Sequence, residues 1–136
     1  MRVSAIGVII ATHGQLAKVL VETAELILGR KSALVPFTFP EQEKPKDSLR
    51  RLQAQVKKCD KGSGVIILAD LFGGTPGSLA LSMLDEKQVE VATGVNLPMV
   101  LTAATLDPKY DLRQAGAAIV KAGRKAIQEA AKILWE

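Results

Sequence analysis

The chain has a single cysteine, Cys59, and a single histidine, His13, among 136 residues. A lone cysteine excludes an internal disulfide and every zinc pattern built on paired cysteines, and a lone histidine excludes paired-histidine metal sites. The chemistry is therefore expected to need neither a metal nor a cofactor. Aromatic residues make up only 4% of the chain, too few for a base-stacking platform, so the net charge of +4 is not read as nucleic-acid binding. No apolar run approaches the roughly 18 to 20 residues of a membrane-spanning helix, which argues against membrane insertion. The apolar stretch after Arg2 is broken by Ser4 and Gly7, is rich in Val and Ile, and ends in Thr12-His13-Gly14 with no clean small-residue cleavage site. It reads as a buried strand rather than a signal peptide, so a cytoplasmic location is expected. A Walker loop, a GxGxxG fingerprint and a GxSxG elbow are also absent from the sequence, which removes support for ATP, dinucleotides and serine hydrolysis.

What is present is 48% hydrophobic and 24% charged, the composition of one globular domain over residues 1–136. A chain of this length buries roughly two-thirds of its unfolded surface and folds without staples. The β-branched run Val3 to Ala11 reads as a strand covered on both faces. In Gln15 to Leu28, residues Leu16, Val19, Leu20, Thr23, Leu26 and Ile27 recur at helical spacing, with Gly29 as the stop. A second apolar run, Ala33 to Phe39, precedes a polar loop, Pro40 to Pro45, and a helix from Asp47 or Ser48 into the Lys57 to Gly62 cluster, with Leu49, Leu52 and Val56 on one face. Val65 to Ala69 is a continuous apolar strand. Thr75 is placed as an N-cap with Pro76 as first residue of a helix to about Leu84. Val89 to Thr93 reads as a fourth strand, and Asn96 caps a helix reaching roughly Ala104. Residues Asp111 to Glu136 read as one long helix, weakened at Gly116 and Gly123. Alternating strands and helices with short links imply a doubly wound α/β fold, with a mostly parallel sheet of about four strands and helices on both faces.

In such a sheet, ligands bind beyond the carboxyl ends of the strands, near the point where strand order reverses. Three polar clusters fall at those ends and are expected to converge: Thr12-His13-Gly14, Asp70 to Thr75, and Gly94 to Asn96. A carboxylate that accepts from one imidazole nitrogen fixes the tautomer and stabilises a cation on the ring, which is the role open to Asp70 beside His13. The backbone N–H groups of Gly73, Gly74 and Thr75 at a helix N-terminus suit a phosphoryl group, and the Thr75 hydroxyl can add a donor. The set fits acceptance of a phosphoryl group on nitrogen. The competing bland readings are a surface histidine, a turn-capping aspartate and an ordinary helix start at Thr75-Pro76.

Three ordered motifs make the chain resemble the enzyme IIA component of the mannose-type branch of the bacterial sugar phosphotransferase system. They are Ala11-Thr12-His13-Gly14 with Ala17 and Leu20, Leu68 to Pro76, and Gly94-Val95-Asn96-Leu97-Pro98-Met99. The resemblance spans nearly the whole chain. It implies that His13 is transiently phosphorylated by the phosphocarrier protein HPr and passes the group to a IIB domain, with the membrane subunits IIC and IID involved indirectly. By the same resemblance Asp70 orients His13, Gly73, Gly74 and Thr75 line the phosphate site, and Thr12, Gly14, Phe72 and Asn96 stand at the rim or meet partners. Ser78 departs from the family's usual asparagine. The resemblance also implies a homodimer, although the family's exchanged edge strand near the C-terminus falls where this sequence reads as helix. With no linker to a IIB domain, a free-standing IIA is expected, and a basic IIA should keep acidic or apolar surface around His13.

A regulatory phosphoacceptor without its own transporter uses the same residues. The related phosphoryl donor of dihydroxyacetone kinase typically lacks the Gly-Gly-Thr-Pro and Asn-Leu-Pro-Met signatures. From another class, a non-catalytic α/β module that binds an anionic metabolite or nucleic acid would account for the basic charge; salt-dependent nucleic-acid binding that survives His13→Ala would mark it. Sugar identity is not written in this chain, because the resemblance places specificity in the membrane subunits.

Overall fold

The computed structural model describes residues 4–135. Ten elements follow one another: β1 (Gly7–Thr12), α1 (Leu16–Leu28), β2 (Val35–Thr38), α2 (Pro45–Cys59), β3 (Val65–Ala69), α3 (Gly74–Ser82), β4 (Val89–Ala92), α4 (Leu97–Ala104), α5 (Leu112–Lys125) and α6 (Ala130–Leu134). The four strands pair in the order β2-β1-β3-β4, parallel throughout. The doubly wound α/β reading is correct. Alternation along the strands divides the core. Val8, Ile10, Ile66 and Leu68 face one side, with buried residues of α1, α4 and α5. Ile9, Ala11, Val65, Ile67 and Ala69 face the other, with α2 and Ala80 of α3. Both faces of the central strands are thus sealed, and each fully buried Ile or Leu contributes about 1.5–3 kcal/mol by leaving water.

Several boundaries differ from expectation. Strand β1 begins at Gly7, four residues after the expected Val3, which lies outside the described residues. Its ladder explains the start, since Gly7 pairs with Val65, the first residue of β3. Strand β2 is shorter than Ala33 to Phe39, and Pro36 sits in it on an open edge of the sheet, where a missing N–H costs no ladder bond. Helix α2 starts two residues before Asp47, because Pro45 takes the first helical position, where proline is tolerated. Helix α1 has the expected span and ends at Gly29. Its buried residues, however, are Ala17, Val21 and Ala24, whereas Leu16, Val19, Leu26 and Ile27 are exposed, Leu26 at 81%.

The C-terminal region is not one helix. Gly116 and Gly123 lie inside α5 without breaking it: a Cβ on Gly116 would approach Glu90 Cγ to 3.1 Å, and one on Gly123 would approach Met99 Cγ to 2.6 Å. The glycines let α5 pack closely on β4 and α4. Asp111 and Gln114 close a reciprocal capping box at the start of α5, worth about 1 kcal/mol. At its other end Gln128 Nε2 donates to the Lys125 carbonyl at 2.8 Å, taking an acceptor left over at the helix terminus. A short helix, α6, follows with no buried residue. The expected terminal residue Glu136 lies outside the described residues.

Candidate phosphoryl-transfer site

Strand order reverses between β1 and β3, which places the site. Chain connection runs from β1 outward to β2 and then back to β3 on the other side of β1. Ala11 pairs with Ala69, so the residues that follow, Thr12-His13 and Asp70, leave the sheet side by side although 57 positions separate His13 from Asp70. Asp70 Oδ2 accepts from the His13 backbone N–H at 3.0 Å and lies 2.8 Å from His13 Nδ1. Its Oδ1 accepts from the Leu71 N–H at 3.0 Å. The carboxylate is largely covered, at 12% exposure, while the His13 side chain is 51% exposed.

Burial pushes the Asp70 carboxyl up, but the His13 backbone N–H, the His13 ring and the Leu71 N–H outweigh it and hold the group below the usual carboxylate range. An ionised Oδ2 can only accept, so Nδ1 carries the ring proton and Nε2 keeps its lone pair. That nitrogen faces Gly74. A Cβ on Gly74 would stand 2.9 Å from both Nε2 and Cε1 of His13, so the glycine leaves open the space a phosphoryl group needs to reach the ring.

Gly74 adopts φ +76° and opens α3, with Gly73 as the N-cap and no side-chain cap. The expectation that Thr75 caps this helix is therefore corrected: the αL turn at Gly74 starts α3 two residues earlier, and Thr75 lies within its first turn, exposed. The first N–H groups of a helix have no intrahelical acceptor and carry partial positive charge, and Gly74 and Thr75 are the first two residues of α3.

Replacing Gly74 with alanine is expected to lower the rate of phosphoryl acceptance by about 10²-fold, the scale of an ångström-level misplacement of a reacting group. An L-residue in the αL region also costs about 1–2 kcal/mol. The new methyl leaves the imidazole room only if it swings away from Asp70. Single-turnover phosphorylation of the folded variant at the wild-type rate would rule this arrangement out.

The other expected residues divide. Thr12 is fully buried and does not stand at the rim; its Oγ1 accepts from the Ala17 N–H at 2.7 Å and donates to the His13 carbonyl at 3.1 Å. The third cluster does reach the sheet end, where the Val95 N–H donates to the Ala69 carbonyl at 3.0 Å. Asn96 turns its side chain elsewhere, however. Its Oδ1 caps α4 at the Met99 N–H, and its Nδ2 donates to the Gly123 carbonyl at 3.2 Å, so both ends of the amide are spent on tying α4 to α5. Gly14 and Phe72 are exposed, Phe72 at 73%.

Sequence reasoning missed Leu71, whose N–H fixes the second carboxylate oxygen. Leu16, Leu71 and Phe72 are exposed around the site. No lysine or arginine lies from Thr12 to Ala17 or from Asp70 to Leu79, the stretches where acidic or apolar surface was expected. The visible signal was two bulky apolar residues inside a turn otherwise made of Asp, Gly and Thr. A cavity of about 1560 Å³ lies at the opposite end of the sheet, among Ile6, Leu34, Cys59 and Leu106. His13, its side chain half exposed, does not line that cavity.

A family profile described as EIIA-man, PTS system fructose IIA component, matches residues 7–120. The mannose-specific EIIAB component of Escherichia coli (strain K12) is 34% identical over 127 residues, covering 90% of this chain and 39% of that protein. The chain thus spans well under half the length of that relative. The fructose-specific EIIA component of Bacillus subtilis (strain 168) is 33% identical over 102 residues, covering 74% of this chain and 70% of the other. Among solved structures, the PTS IIA protein associated with the fucose utilization operon of Streptococcus pneumoniae superposes with a TM-score of 0.83 at 27% identity, covering 98% of this chain and 99% of that one. With a strand-end histidine held by an aspartate, a glycine-started helix facing it and a profile spanning the sheet and most of its helices, the chain belongs to the mannose-type IIA components of the sugar phosphotransferase system.

Proposed function

We propose that this chain is a phosphohistidine carrier that accepts a phosphoryl group from phospho-HPr on Nε2 of His13 and passes it to a IIB domain for sugar uptake. The observation that carries this reading is the 2.8 Å contact between His13 Nδ1 and Asp70 Oδ2, which leaves Nε2 as the nucleophilic nitrogen. In the transfer, the P–N bond to the donor imidazole breaks with its electron pair returning to that ring, and a new P–N bond forms at Nε2. The proton on Nδ1 stays where it is, and the Asp70 carboxylate offsets the positive charge that the ring gains. The amides of Gly73, Gly74 and Thr75 and the Thr75 hydroxyl stabilise the phosphoryl oxygens, while a loose transition state leaves positioning and charge as the main sources of rate. Gly14, Leu16, Leu71 and Phe72 form the surface on which both partners dock. The working location is the cytoplasm, where phosphoenolpyruvate, enzyme I and HPr supply the group; among the described residues no helix is long and apolar enough to cross a membrane.

The test is to incubate the protein with phosphoenolpyruvate, enzyme I and HPr and follow intact mass. One acid-labile phosphoryl adduct is expected, absent when HPr is omitted; no adduct under any condition would end the proposal.

The chain acts as a homodimer in this reading. Helix α6, the turn before it and its C-cap residue expose Ile127, Ile133, Leu134 and Trp135, the last at 83%, and a second copy is the natural cover for that face. Ending the chain after Lys125 is expected to convert a dimer to a folded monomer, read by light scattering. An unchanged mass would show that the dimer, if formed, lies elsewhere.

A further inference from the structure

The strand-to-helix link that carries His13 has an unusual source of order. Gln15, at the N-cap of α1, makes no side-chain cap. The cap is supplied from three residues earlier by Thr12, the last residue of β1, whose Oγ1 accepts from the Ala17 N–H at 2.7 Å. The same hydroxyl donates its proton to the His13 carbonyl at 3.1 Å. Among the described residues the only other donor on that carbonyl is the Leu16 N–H, at a longer 3.4 Å. His13 is therefore pinned at both backbone ends, its N–H by Asp70 Oδ2 and its C=O by Thr12. Gly14 and Gln15 are exposed and hold neither end.

We propose that Thr12 is a positioning residue for phosphoryl transfer. Its buried hydroxyl fixes the backbone of His13, so that the imidazole keeps Nδ1 on Asp70 and presents Nε2 beside Gly74. This rests on the phosphocarrier reading for its rate, but not for its geometry. A fully buried hydroxyl with both its donor and its acceptor capacity used makes Thr12→Val a sharp change. The shape is kept, while the Ala17 N–H and the His13 carbonyl each lose a buried partner. The link then relaxes by moving toward other acceptors and carries the imidazole with it.

Three proteins are compared: wild type, Thr12→Val and Thr12→Ser. Thr12→Val is expected to accept the phosphoryl group from phospho-HPr about 10- to 100-fold more slowly, and Thr12→Ser within about threefold of wild type, since it restores the hydroxyl. The readout that a purely structural cap would not move is the His13 tautomer, measured by ¹⁵N NMR on the unphosphorylated protein alone. Wild type and Thr12→Ser should show a single Nδ1–H form, and Thr12→Val a mixture. Should Thr12→Val fail to fold, Thr12→Cys takes its place, keeping the volume with a weak donor. A wild-type rate or an unmixed tautomer in the Val or Cys protein overturns the proposal, as does a Ser protein as slow as the Val one. If wild type itself accepts no phosphoryl group, the carrier reading fails, and the tautomer comparison still decides the role of Thr12.

Discussion

A His13→Ala protein is expected to remain folded and to acquire no phosphoryl group from phosphoenolpyruvate, enzyme I and HPr. His13 is the only imidazole in the chain, so no second nitrogen of its kind can take over. Its side chain is half exposed and its close neighbours are Asp70 and the turn at Gly74. Truncation removes the ring's bond to the largely covered Asp70 carboxylate and costs about 1 kcal/mol. A complete loss of phosphorylation with a cooperative melting curve lowered by only about a few degrees would then be chemical in origin. The wild-type adduct should also be lost in acid and survive in alkali, as a P–N bond does and a phosphate ester of Thr75 or Ser78 does not. An adduct that persists in His13→Ala, or one stable to acid, would move the site away from the ring.

Asp70→Asn should retain the fold and slow phosphoryl acceptance by about 10²-fold or more; exchanging the carboxylate partner of a catalytic imidazole for an amide costs about 10⁴-fold in a serine protease. Three N–H groups point at the two carboxylate oxygens: the His13 backbone and ring on Oδ2, and Leu71 on Oδ1. An amide offers one oxygen and one NH₂, so in either orientation a donor faces a donor. The charge that offsets the phosphorylated ring is also gone. Acid behaviour gives a second readout. Because the folded-state pKa of Asp70 is lowered below its ordinary value of 3.8, its ionisation contributes stability that is fully present above that value and is lost as pH falls through the folded one. Wild-type melting temperature should therefore decline below about pH 4, and the Asn variant should decline less steeply. Single-turnover rates within about threefold of wild type would show that the carboxylate only shapes the turn.

The sequence was legible where a local pattern left one choice. Val65 to Ala69 is five apolar residues between turn formers, and the strand has those bounds. Asn96 before Leu97-Pro98 caps α4 where the pattern placed it. Helix α1 shows where periodicity stops helping. Its charged residues, Lys18, Glu22 and Glu25, occupy a single arc, and the apolar remainder is too wide to be buried on one side. The packed stripe is the one with Ala17 and Ala24, whose small side chains let the helix lie close on the sheet, and that choice depends on the sheet rather than on the helix. The start of α3 was misplaced because Gly74 can take an αL conformation that threonine capping rules do not anticipate. Neither the bond from Asn96 to Gly123, 27 residues away, nor the break after Lys125 has a local signature. His13 and Asp70 were found together only because parallel topology brings strand ends to one edge.

That edge has a consequence for how the site fails. The alignment of His13 with Asp70 is inherited from the pairing of Ala11 with Ala69, and strand pairing moves only in whole residues. A slip of one place would turn Ile9 and Ile10 to the wrong layers and exchange the two cores, so intermediate alignments do not exist as stable states. Tolerance to mutation in the apolar core of the sheet, as distinct from Thr12 at its end, should therefore be all-or-none: a weakened core leaves fewer molecules competent, while each competent molecule transfers at full speed.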